Sequence, residues 1–123
     1  MKKRRKTADG PDAFLPLKPA VFHILLALSE RDLHGYGIMK AVEEGTDGRI
    51  RIDPSPLYRR LKRLVEQGIV KQVDERRFSD SDDERRRYYG LTELGQRVLA
   101  AEAARVVELS RSSTVRALAA KAE

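Results

Sequence analysis

The chain has 123 residues, no cysteine and a formal net charge of +6, with 25 Lys and Arg against 19 Asp and Glu. The length suits one domain with a modest core, and the lack of cysteine excludes disulfides, thiolate metal sites and thiol catalysis. No apolar run is long enough to cross a bilayer, and the basic start lacks the apolar stretch of a signal peptide, so the chain reads as soluble and cytoplasmic. A basic balance favours a polyanionic partner, although it also fits an ordinary basic surface.

Residues 1–18 read as a flexible arm. Met1-Lys-Lys-Arg-Arg-Lys6 is a cationic cluster, and Gly10, Pro11, Pro16 and Pro19 follow it. Such a segment has too little apolar surface to order itself. It suits either a strand laid on DNA phosphates or a solubilising tail.

Pro19 is placed to open a first helix, where its missing N–H costs little. Val21, Ile24, Leu25 and Leu28 form its apolar face, which Phe22 and Leu26 widen. After a break at Glu30–Gly35, a second helix is expected from about Tyr36 to Glu44, with Ile38, Met39 and Val42 facing inward. Gly45-Thr-Asp-Gly48 ends it with turn chemistry. Ile50-Arg-Ile52 alternates like a short strand.

The next stretch, Asp53 to Gly68, is the most informative. Leu57, Leu61, Leu64 and Val65 recur at helical spacing and form a stripe that needs a core. Arg59, Lys62 and Arg63 project the other way, with Ser55 at the start of that face and Tyr58 at its border. Gly68 is a stop signal, since glycine accepts the left-handed turn at a helix end. A short helix with a buried back and a cationic front fits a DNA major groove. Taken alone, it equally fits a solvated basic surface.

Beyond Gly68, Ile69–Val73 alternates in strand fashion and Arg86–Leu91 reads as its partner. The charged stretch Ser79–Glu84 joins them as a hairpin tip. Thr92 is a good N-cap, and Glu93 sits well in the first turn of a last helix running to about Leu118. Leu94, Val98, Val106 and Leu109 give that helix more apolar surface than the small domain before it can cover, so its expected partner is a second copy of the chain. The fold class expected is mostly α with a small β-hairpin wing: a winged helix-turn-helix over 19–91 and a dimerisation helix over 92–123. The expected order is helix, helix, strand, helix, strand, wing, strand, helix.

Three motifs in this order resemble the PadR-like transcriptional regulators. They are Leu25-Leu-Ala-Leu-Ser with His34-Gly-Tyr-Gly-Ile-Met-Lys40, then Pro56–Val70, then Arg86-Arg-Tyr-Tyr-Gly-Leu-Thr-Glu-Leu-Gly95. The resemblance spans roughly residues 17–118. It implies a homodimeric regulator, usually a repressor, that binds double-stranded DNA at an operator and responds to a small molecule or another signal. Ser55, Tyr58, Arg59, Lys62 and Arg63 carry over as the recognition helix, and the segment between Glu75 and Arg87 as the wing. Arg59 and Lys62 are then candidates for base edges. Arg60, Arg63 and the wing-base residues Arg76, Arg77, Arg85, Arg86 and Arg87 are candidates for phosphates. Tyr58 suits a phosphate or a place at the core edge, and Tyr36 suits a buried structural place.

Two features depart from the family pattern. The wing tip is acidic (Asp80, Asp82, Asp83, Glu84) where a phosphate-touching wing should be cationic, and one C-terminal helix leaves little protein for an effector pocket. The competing readings are a winged-helix module that docks an acidic protein, or a regulator of another winged-helix family. No nucleophile–base pair, carboxylate dyad or phosphate-cradling glycine loop supports an enzyme. No cofactor is expected, and two histidines without cysteine give no metal set.

Overall fold

The computed structural model describes residues 10–73 and 87–122. The chain opens with a short 3-10 helix, Pro11–Phe14, and continues through α1 (Pro19–Glu30), β1 (Leu33–His34), α2 (Gly35–Gly45), α3 (Pro54–Glu66), β2 (Val70–Val73), β3 (Tyr88–Leu91), α4 (Glu93–Ser110) and α5 (Ser113–Ala120). The strands form one antiparallel sheet in the order β1-β3-β2.

Local chemistry explains most of these boundaries. Pro19 stands at the first position of α1. Pro54 and Pro56 both fall in the first turn of α3, where backbone N–H groups have no intrahelical acceptor to lose. Gly68 adopts φ +80° and ends that helix. His34 caps α2, its Nδ1 accepting from the Gly37 N–H at 3.0 Å. The Thr92 hydroxyl caps α4, accepting from the Gly95 N–H at 2.9 Å.

One core joins the elements. It gathers Ile24, Leu25 and Leu28 of α1, Ile38 and Val42 of α2, Leu57, Leu61 and Leu64 of α3, and Ile69, Val70, Tyr89, Leu91, Val98 and Leu99 from the sheet and α4. Each buried leucine of α3 contributes about 1.5–3 kcal/mol of apolar transfer. That anchorage sets the rotation of α3, so its opposite face must look outward.

Four expectations need correction. Ile50–Ile52 is not a strand: these residues run along the core without a ladder partner, and the Ile50 N–H is taken by the Thr46 hydroxyl at 3.0 Å. The third strand is instead Leu33–His34, ahead of α2, pairing Leu33 with Tyr89 and His34 with Tyr88. The last helix does not run unbroken to Leu118. It stops at Ser110, and Ser112 caps a separate α5 by accepting from the Val115 N–H at 3.2 Å. Finally, residues 10–18 are not free. Phe14, Leu15 and Leu17 pack on the core, while Met1–Asp9 lie outside the described residues.

A buried carboxylate holds that N-terminal strap. Glu102 of α4 is 2% exposed. Its Oε2 accepts from the Leu17 N–H at 3.1 Å, a contact 85 residues apart in sequence. Arg105 completes a fork, donating from Nε to Oε1 at 2.7 Å and from Nη2 to Oε2 at 3.0 Å. The Arg105 hydrogen bonds hold the Glu102 carboxyl below its ordinary range, outweighing the burial that pushes it up, and the Leu17 N–H adds to the depression. Because the folded value is depressed, this stabilisation is present above the ordinary carboxylate pKa and is lost as pH falls through the folded one. We expect Glu102→Gln to cost about 1–3 kcal/mol at pH 7 and to flatten the acid limb of stability. Urea titrations of both proteins from neutral to acid pH test this. Parallel acid limbs would remove the role given to Glu102.

Candidate nucleic-acid interface

The front of α3 is built by subtraction. With Leu57, Leu61 and Leu64 turned inward, Ser55, Tyr58, Arg59, Lys62 and Arg63 are exposed on the far side, and Arg60 is half-buried on the flank. Arg59 is steadied along the helix by a hydrogen bond from Nη1 to the Ser55 hydroxyl at 3.1 Å. Neither Arg59, Arg60, Lys62 nor Arg63 pairs with a carboxylate among the described residues. Four cations therefore share one short helix without internal neutralisation, an arrangement that favours an external polyanion.

Tyr58 is 46% exposed, and its phenol lies directly over Gly35 at the start of α2. A side chain at position 35 would collide with the Tyr58 ring, so glycine lets α2 and α3 meet at this corner. Tyr36, expected to be buried, is 64% exposed. It follows Gly35 in the first turn of α2 and adds an aromatic hydroxyl beside Tyr58. The signal for this was faint: the turn of helix after a capping His34 leaves position 36 free of the apolar face formed by Ile38 and Val42.

Arg87 is exposed at the entry to β3. Tyr89, two residues on, is buried, and burial pushes its phenol above the ordinary value against the opposing pull of the Arg87 guanidinium. Arg76, Arg77, Arg85 and Arg86, together with the acidic residues 80–84, lie outside the described residues.

The residues expected to meet a second copy divide into two sets. Val98 is fully buried in the chain's own core and Leu94 packs against it, so neither is available to a partner. They belong to the first two turns of α4, which lie over the winged domain. Val106 and Leu109, further along α4, are 39% and 46% exposed. Val115 and Leu118 of α5 are exposed as well, and so is Leu26 of α1.

Three helices over a three-stranded antiparallel sheet, with the third helix presenting its cationic side, define a winged helix-turn-helix. The profile of the transcriptional regulator PadR-like family matches residues 24–101, and the chain belongs to that family. An uncharacterized protein of Lysinibacillus sphaericus is 34% identical over 77 residues, which are 62% of this chain and 67% of that one. Among solved structures, a transcriptional regulator from Clostridium thermocellum is 27% identical with a TM-score of 0.60, over 73% of this chain and 84% of that one. The PadR of Bacillus subtilis in complex with operator DNA is 23% identical with a TM-score of 0.59, over 70% of this chain and 46% of that one. The chain thus shares the fold of a protein solved on its operator. No helix among the described residues is long and apolar enough to cross a membrane.

Proposed function

We propose that this protein is a homodimeric repressor that binds an inverted-repeat operator through α3, with a binding role and no chemical step of its own. The observation that carries the reading is the unpaired cationic front of α3, held outward by three buried leucines. Arg59 and Lys62, at the centre of that front, reach base edges, and guanine acceptors suit them best. Arg60, Arg63, Arg87 and the arginines at 85 and 86 neutralise phosphates, with Ser55, Tyr58 and Tyr36 positioning the backbone. Pairing is supported by the exposed apolar residues Val106 and Leu109 of α4 and Val115 and Leu118 of α5. A dimer reading two successive major grooves holds its α3 helices roughly 34–36 Å apart.

Selection of bound sequences from a random DNA pool, repeated at two salt concentrations, tests this reading. Dyad-symmetric sites are expected, with affinity falling steeply as salt rises because each neutralised phosphate releases counterions. Arg59→Ala will cost on the order of 1–3 kcal/mol and relax one operator position. A variant that binds the selected site as tightly and as selectively as the parent protein removes Arg59 from the interface. Failure to enrich any sequence, with flat salt dependence, removes DNA as the partner.

A further inference from the structure

A second feature adjoins the α3 front. The strap ahead of α1, the first turn of α1 and the flank of α3 enclose an open cavity of about 410 Å³. Its walls are apolar: Phe14 and Leu17 of the strap, Val21 of α1 and Leu64 of α3. Its polar lining is almost entirely cationic, with Lys18, Arg59, Arg60 and Arg63 and no acid. None of these four pairs with a carboxylate among the described residues. Like charges gathered at a partly apolar site repel one another, and an anion placed among them relieves that repulsion. A metal cation is disfavoured by the same charges, and a fully hydrated inorganic anion gains nothing from phenyl and aliphatic walls.

The geometry points to a binding site for a small organic anion with an apolar body, whose carboxylate engages the Arg60–Arg63 side while its ring or chain lies against Phe14, Leu17 and Val21. Arg59 and Arg63 belong both to this cavity and to the front of α3. An occupant therefore draws on the cations that phosphates need and places a negative charge beside the groove-reading face. Ligand and DNA compete directly, with no relay through the rest of the fold. The site depends on the strap that Glu102 clamps at Leu17, so it uses the N-terminal segment rather than a large C-terminal domain. Competition rests on the reading of α3 as the DNA-binding helix, whereas ligand binding to the free protein does not.

The test uses the full chain with methyl labels and 1-naphthoate as probe, 1-naphthylmethanol as its neutral counterpart, and sodium chloride to hold ionic strength constant. Saturable shifts are expected at the Leu17, Val21 and Leu64 methyls, with a Kd on the order of 0.1–1 mM for so open a cavity. Arg60→Gln weakens binding about tenfold or more, and the alcohol gives no saturable shift. Val21→Phe fills the cavity, so it loses naphthoate while keeping its affinity for a selected DNA site. Thermal melts establish that both variants fold. In the competition arm, naphthoate releases DNA from the parent protein and not from Val21→Phe. The proposal is overturned by no saturable shift up to about 10 mM, by equal binding of the alcohol, or by equal release of DNA from Val21→Phe. Arginine-dependent naphthoate binding in a protein with no affinity for DNA supports the site and overturns the nucleic-acid reading instead.

Discussion

Val106→Glu combined with Leu109→Glu will leave the winged domain folded and convert the protein to a monomer. Both residues lie beyond the part of α4 that the domain covers, exposed at 39% and 46%. Burying glutamates in a contact between copies requires desolvating four like charges per dimer, which apolar packing at so small a patch does not offset. The effect on DNA will be larger than the effect on any single contact. Two linked helices bind their half-sites at high effective concentration, and losing that linkage lowers operator affinity on the order of 10²-fold or more. Light scattering at micromolar protein, followed by operator titration, checks both parts. A doubly substituted protein that stays dimeric places the pairing surface elsewhere, and Leu26 of α1 with α5 would be the next surface to examine.

Gly95→Ala will be the more damaging single change. A methyl group at this position would run into the backbone carbonyl of Ile69. That carbonyl cannot step aside, since it accepts from the Thr92 N–H at 3.1 Å and from the Thr92 hydroxyl at 3.1 Å. The same hydroxyl also donates to the Gly68 carbonyl at 2.5 Å. The start of α4 is therefore fastened to the end of α3, with the glycine allowing the approach. Overpacking against fixed backbone costs about 3 kcal/mol or more, a large share of the stability of a domain this size. Chemical denaturation measures the loss directly. If Gly95→Ala melts with the parent protein, the junction is looser than these contacts describe. Any surviving dimer should also bind DNA less well, because shifting α4 at its root alters the spacing of the paired α3 helices.

The parts of this fold legible in the sequence are those decided by neighbours along the chain. Pro19, Gly68 and Thr92 mark helix ends by chemistry confined to a single turn, and each stands where that chemistry places it. The leucine stripe of α3 fixed its buried side, and with it the outward direction of Arg59 and Lys62. What escaped was decided at a distance. Leu33–His34 is a strand because β3 offers it an edge, not because two residues announce one. Ile50 and Ile52 alternate as a strand would, but that edge was already taken. Glu102 looks like a solvent-facing residue among alanines, and only the Leu17 N–H and Arg105 make its burial tolerable. The break after Ser110 is different: the serines at 110, 112 and 113 carried a capping signal that the apolar spacing of α4 obscured.

The central strand β3 is clasped on both edges, by β1 on one side and β2 on the other. Its position does not depend on how many residues connect it to β2. Doubling the length of such a connection costs only about 0.6 kcal/mol in closure entropy. Insertions and deletions between Val73 and Arg87 can therefore accumulate without disturbing the hydrophobic centre. Across descendants of this chain, the reach into a neighbouring groove can drift by changes in length while the helix that reads bases stays the same.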